Sequence, residues 1–155
     1  MPHLARFILI DAPLAAAFAI VSDYRNIPRL QPQFDRVRLV STQEMGVGAE
    51  IELHGSFRGL PITSRTRIVA FDPPNLLVSD SHGQVRSRAT WRFTPAPAHA
   101  EGAERTRASL ALDYEVDLPG LGWLVGGLVG RDVEAMTVES LRRLKQMVEQ
   151  PDVAL

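Results

Sequence analysis

Hydrophobic and polar positions follow two different periods along the chain. Residues 3–10 alternate with a period of two and predict a strand. Residues 14–21 carry apolar side chains three to four positions apart, which predicts a short amphipathic helix with Asp11 as its cap. Residues 23–32 keep the helical spacing but contain Pro28, so they predict a second, irregular helical segment.

The middle of the chain returns to the period of two. It predicts about six further strands, which turn-forming stretches such as residues 46–48 and 72–75 separate. These strands begin at residue 34 and include residues 50–54, 63–71, 76–81, 85–93 and 106–118.

The C-terminal part predicts one long helix from residue 119 to about residue 150. Its apolar face consists of Val133, Met136, Leu141, Leu144 and Val148. The order of elements therefore predicts an α+β fold, in which one or two short helices follow the first strand of a curved antiparallel sheet of about seven strands. Because such a sheet curls, it can wrap around the long helix and leave space for a ligand.

Composition predicts a single globular domain, which we place at residues 1–150 with a tail at 151–155. The chain has 155 residues, of which 45% are hydrophobic and 23% are charged. Seventeen basic and 18 acidic residues give a net charge of -1, so there is no overall cationic field for nucleic acid or an anionic membrane. Because cysteine is absent, disulfides, thiolate nucleophiles and cysteine metal sites are excluded.

Targeting signals are not evident in the sequence. The first residues lack the basic and apolar pattern of a secretory signal, which makes a cytoplasmic location the expectation. The longest uncharged apolar stretch, Leu118–Gly130, is shorter than the about 20 residues that a spanning helix needs. We therefore expect no integral membrane segment.

Side chains that could support metal or cofactor chemistry are scattered. The four histidines lack the spacing of a helical metal site, and His54 alternates with glutamates on an outward strand face. No G-x-S-x-G turn and no phosphate-binding glycine loop is present. The sequence therefore predicts no metal and no cofactor.

Several segments together resemble a known superfamily. They are Asp11-Ala12-Pro13, residues 21–28 (VSDYRNIP), Gly46-Val47-Gly48, Asp72-Pro73-Pro74, Trp91-Arg92-Phe93 and the closing helix. The chain resembles the START-like (SRPBCC) superfamily over essentially its whole length. Within it, the chain is similar to the polyketide cyclase/dehydrase and lipid-transport group, which includes coenzyme Q-binding proteins.

The resemblance implies a helix-grip fold with an apolar cavity between the long helix and the concave sheet. Members bind lipids, quinones, polyketides, sterols or plant hormones, and only some catalyse a reaction. The expected function is therefore binding or transport of a small hydrophobic ligand, such as a lipid, a quinone or a polyketide-like molecule.

The alternation assigns one face of each strand to such a cavity. Inward hydroxyls would line a wet or ligand-filled space, whereas a register shift of one residue would turn them outward. The glycine-rich stretch before the long helix fits either a mobile gate or close packing against the sheet. The expected lining residues are Ile51, Leu53, Phe57, Ser64, Thr66, Ser79, Ser81, Ser87, Trp91, Phe93, Leu110, Leu112, Tyr114, Trp123, Leu124, Leu128 and Met136.

The opposite face of the sheet is rich in arginine. Acidic and basic strands alternate on this face, which predicts a solvated surface with weak cross-strand ion pairs. The basic residues are Arg65, Arg67, Arg86, Arg88 and Arg92, and the acidic ones are Glu50, Glu52, Asp80, Asp113 and Glu115. The alternative is that this arginine-bearing face binds an anionic protein partner.

Catalysis is the alternative to simple binding. The resemblance suggests a polyketide cyclase/aromatase or dehydratase that uses an acid or base in the cavity. Tyr114 is the best single candidate, and Asp113 or Glu115 would serve only in the other strand register. The sequence places no inward pair of ionisable groups, which argues against an enzyme.

Overall fold

The computed structural model describes residues 2–98, 102–116 and 127–151. The described elements, in chain order, are strand β1 (His3–Ile10), helix α1 (Leu14–Val21), a 3₁₀ turn (Tyr24–Asn26), helix α2 (Ile27–Leu30), strands β2 (Phe34–Leu39), β3 (Glu50–Phe57), β4 (Leu60–Asp72), β5 (Leu76–Gly83), β6 (Val85–Pro95) and β7 (Thr106–Val116), and helix α3 (Gly127–Glu149).

The strands form one antiparallel sheet in the order β1-β7-β6-β5-β4-β3-β2. Strands β2 to β7 are a meander, and β1 joins it by pairing with β7. Helix α3 packs against β1 and β7 and also contacts α1 and α2. The predicted α+β fold, with a seven-stranded sheet and a long C-terminal helix, is therefore confirmed.

Asp11 does not cap the first helix, contrary to the sequence-based expectation. Pro13 occupies the N-cap position, and no side chain caps the helix. The Asp11 carboxylate instead lies 3.0 Å from the guanidinium of Arg105, and its backbone N–H donates to Glu149. The residue therefore joins the start of α1 to the end of α3.

A hydrophobic core fills the end of the sheet that α1 covers. Phe93 of β6 is fully buried there, and its ring lies 5.9 Å from that of Phe18 in α1. Leu144 of α3 is also fully buried in this core. A second apolar cluster, which includes Phe34 and Ile51, surrounds the other half of α3.

Gly55 allows the strand β2 to begin close to β3. A Cβ atom at this position would lie 1.8 Å from the carbonyl oxygen of Gln33. The same carbonyl accepts a hydrogen bond from the Ser56 N–H at 3.0 Å. This close approach holds the segment that follows α2 against the sheet.

Ion pairs cross the outer face of the sheet, as the alternation predicted. Arg88 pairs with Asp80 at 2.7 Å, and Arg86 pairs with Glu115 at 2.7 Å. Glu52 accepts from both neighbouring strands, because Arg38 and Arg65 each lie 3.3 Å from its carboxylate. Pairs of this exposed kind contribute only a few tenths of a kcal/mol each, roughly.

Two glutamates should make the free energy of unfolding depend on pH in the acidic range. Hydrogen bonds from His54 and Arg38 lower the pKa of Glu52 from 4.5 to about 2, and those from Arg142 and Arg143 lower the pKa of Glu139 from 4.5 to about 2. As pH falls below about 4.5, the unfolded chain takes up these protons before the folded protein does. The free energy of unfolding should therefore decrease between about pH 4.5 and about pH 2.

Glu139→Gln should reduce this acid sensitivity. Urea unfolding midpoints at pH 6 and pH 3 are expected to differ less in the variant than in the unmodified protein, because one of the two carboxyls with a lowered pKa is gone. Glu44→Gln is the control, since Glu44 is exposed on the loop after β2. If all three proteins lose the same stability on acidification, Glu139 is not a source of the acid sensitivity.

No helix in the described ranges is long and apolar enough to span a membrane.

Candidate functional site

A cavity lies between the concave face of the sheet and α3. About 150 Å³ of it is open to the centres of water molecules. Since a water molecule takes up about 30 Å³ in the liquid, the space would hold roughly five waters and is larger than a packing defect. Strands β3 to β7, the segment around α2 and one face of α3 supply the wall.

Ion pairs hold α3 over the sheet near this cavity. Arg58, at the tip of the β3–β4 hairpin, pairs with Asp132 near the start of α3. Arg6 of β1 pairs with Glu134 of α3 at 2.9 Å. The first half of the helix is therefore linked to both sides of the sheet.

Most residues predicted to line a cavity do lie in its wall. These are Ile51, Leu53, Phe57, Ser64, Thr66, Ser79, Ser81, Ser87, Trp91, Leu110, Leu112, Tyr114 and Met136. Phe93 lies elsewhere, because α1 covers that end of β6 and buries the ring in the core. Trp123, Leu124 and the side chain of Leu128 lie outside the described part of the chain.

Four hydroxyl-bearing residues stand side by side across the concave face. Thr66 is paired with Ser81, Ser81 with Ser87, and Ser87 with Tyr114, on the four adjacent strands β4 to β7. We call these four residues the hydroxyl row. The hydroxyls of Thr66 and Ser81 are 2.7 Å apart and share a hydrogen bond. The register thus turns these hydroxyls inward.

Formal charge is absent from the described cavity wall. Its polar side chains are those of serine, threonine, glutamine and the two tyrosines, Tyr24 and Tyr114. Asp113 and Glu115, the neighbours of Tyr114, point away from the cavity and pair with His3 and Arg86 at 2.7 Å. The register that would have brought either carboxylate inward is therefore wrong.

Sequence reasoning did not place two groups of wall residues in the site. The segment after α1 contributes Tyr24, Ile27, Leu30, Gln31, Gln33 and Phe34. Helix α3 contributes Thr137 and Ser140, which are buried although they are polar. A signal for the second group does exist, because both residues follow Val133 at helical spacing and interrupt the apolar face of the helix.

Metal ligation has no support among the residues that the structure describes. They contain no group of three or more histidine, aspartate or glutamate side chains that could hold an ion. His54 lies on the outer face, where its imidazole is 2.7 Å from Glu52.

A long helix laid over a seven-stranded antiparallel sheet, with an apolar cavity between them, defines a START-like protein of the helix-grip type. The chain belongs to the polyketide cyclase/dehydrase and lipid transport family, whose model matches residues 1–149.

Solved structures of related fold cover nearly the whole chain. The Zhui aromatase/cyclase from a Streptomyces species is similar with a TM-score of 0.77 at 19% identity, over 99% of this chain and 96% of that one. A START superfamily protein from Mycobacterium smegmatis has a TM-score of 0.73 at 19% identity, over 96% and 98%. A protein from Thermus thermophilus has a TM-score of 0.78 at 20% identity, over 98% and 100%.

At these identities the similarity concerns the fold alone. A search of curated proteins found no significant match.

Proposed function

We propose that this protein binds and carries a small hydrophobic molecule, such as a lipid, a quinone or a polyketide-like compound, in the cavity beneath α3. The observation that carries the proposal is the cavity itself, which is apolar over most of its wall and carries a small number of hydroxyls, most of them on the sheet. Native interiors are otherwise packed without such voids, and the surrounding side chains lose contacts if the space stays empty. An apolar ligand would restore them.

Family membership supports the same proposal at a coarser level. The family to which the chain belongs is one of polyketide cyclases, dehydrases and lipid-transport proteins. Ligand pockets are in general concave and mainly apolar, with a few polar groups that orient the ligand. The cavity has this composition.

Native mass spectrometry of the purified protein tests the proposal. We expect a bound mass that organic solvent removes, or saturable binding of an uncharged pyrene-labelled alcohol to the emptied protein. A protein that is consistently empty and does not bind the labelled alcohol would contradict the proposal.

Polyketide cyclisation or dehydration is the second candidate. The observation in its favour is that Tyr114, an ionisable group, lies in the cavity wall beside Ser87. Its hydroxyl reaches α3, where it lies 3.6 Å from the point that a Cβ on Gly130 would occupy. A tyrosine hydroxyl can act as a general acid or base, but the described wall offers no carboxylate or imidazole to assist it.

Tyr114→Phe separates the two candidates. If Tyr114 transfers a proton, the variant should lose about 100-fold or more in turnover of a polyketide-like substrate while its affinity for that substrate changes little. Turnover and Kd are to be measured on the same preparations. A variant that loses affinity alone, or that keeps full turnover, would remove Tyr114 from the catalytic candidates.

A further inference from the structure

The hydroxyl row gives the cavity a polar band with a defined spacing. Adjacent strands are about 4.8 Å apart, so the four residues extend about 14 Å across the sheet. On the sheet, Ser64, Leu53 and Val85 lie on one side of the band, and Ser79, Ala89 and Leu112 lie on the other. A ligand against the sheet would therefore meet a continuous line of hydroxyls with a mainly apolar border, and Thr137 and Ser140 of α3 would face it from the helix.

The hydrogen bonds of the row leave hydroxyl donors free within the described part of the chain. In the Thr66–Ser81 pair one hydroxyl donates to the other, so one hydrogen is left over. Ser64, next to the row, donates to the carbonyl of His82 at 3.3 Å. Ser87, on the strand beside this pair, forms no side-chain hydrogen bond with another described residue. The free donors require acceptors, which water or a ligand oxygen can supply.

The described cavity wall offers no charge that could compensate an ionised ligand. No described side chain of the wall is positively charged. Burying a carboxylate without a partner is costly, because the group loses its hydration and gains no opposite charge.

We propose that Thr66 donates to Ser81 and that the ligand is uncharged, with at least two oxygen acceptors about one strand spacing apart, which accept hydrogen bonds from Ser81 and Ser87. This inference rests on the proposed binding function and narrows its ligand class. It favours neutral carbonyl or hydroxyl compounds over free fatty acids and other carboxylates.

Three probes with one carbon skeleton test the inference: naphthalene, 1,4-naphthoquinone and 1-naphthoate. The two quinone oxygens lie about one strand spacing apart, roughly 5 Å. The naphthoate carboxylate is attached where the quinone has a carbonyl. Because the chain contains no cysteine, the quinone cannot form a thiol adduct. Equilibrium dialysis at pH 7 should rank the quinone first, about fivefold or more tighter than naphthalene, and the naphthoate last.

Ser81→Ala and Ser87→Ala should each weaken quinone binding by about fivefold and leave naphthalene binding unchanged. Ser109→Ala is the matched control, because Ser109 lies on the outer face of β7 between Phe7 and Arg92 in the register. Its quinone affinity should not change.

The outcomes separate this inference from the binding function on which it rests. If naphthoate binds as tightly as the quinone, or if the alanine variants weaken naphthalene equally, the inference is wrong and the cavity still binds hydrophobic molecules. If none of the three probes binds and the purified protein is also empty, the proposed function fails together with the inference.

Discussion

Ala89→Leu should weaken ligand binding at least tenfold and leave the fold intact. Ala89 lies on β6 in the cavity wall, between Ser79 of β5 and Leu112 of β7 in the register. A leucine at this position extends three further carbon atoms into space that a ligand would occupy. Since Ala89 borders the cavity, the larger side chain can extend into it and should not overpack the core. Affinity is therefore expected to fall while stability stays within about 1 kcal/mol.

Ala111→Leu is the matched control for this substitution. Ala111 lies on the outer face of the neighbouring strand β7, opposite Ala5 and Thr90. Binding of the pyrene-labelled alcohol and of 1,4-naphthoquinone is to be measured for both variants, together with urea unfolding. If the Ala89→Leu variant binds as tightly as the Ala111→Leu variant, the ligand lies outside the cavity.

Phe93→Ala should destabilise the protein by about 3–5 kcal/mol. The ring is fully buried, packs edge to face on Phe18 at 5.9 Å and stacks on Trp91 at 6.2 Å. Its removal leaves a cavity in the core that neighbouring side chains fill only in part. Urea unfolding of the variant at neutral pH measures the loss directly.

Phe93→Leu distinguishes a core position from a ligand-binding position. This milder variant should lose stability but keep its affinity for the pyrene-labelled alcohol, because the ring does not line the cavity. Phe7→Ala is the control for stability, since Phe7 is 54% exposed and its loss should cost no more than about 1 kcal/mol. If Phe93→Ala keeps its stability, or if Phe93→Leu loses binding of the pyrene-labelled alcohol, then Phe93 is not a core residue outside the cavity.

Alternation along the strands favoured the face of the sheet that the structure shows for most strand residues. A strand residue has only two faces to choose from, and a wrong register would expose every apolar side chain of the inner face. For this reason Thr66, Ser81 and Ser87 could be expected inside, and Arg86 and Arg88 outside, without any knowledge of the tertiary structure. The long helix was predictable for a similar reason, since its apolar face repeats at helical spacing.

Alternation did not predict where along a strand the cavity ends, or which distant segments contact each other. Trp91 and Phe93 share one face of β6, yet Trp91 lines the cavity while α1 covers Phe93. The irregular segment with Tyr24 gave no sequence signal that it closes the cavity, because a short helical stretch has no period that indicates its partner.

By itself, therefore, the sequence of this protein determined the order of the elements and favoured one assignment of the two faces of the sheet, while the structure fixed the register that keeps Asp113 and Glu115 out of the described cavity wall. Only the tertiary structure decided where along the strands the cavity ends, and that Thr137 and Ser140 of α3 face into it. The physical reason is that periodicity reports local geometry, whereas the depth of a residue depends on which distant element packs over it.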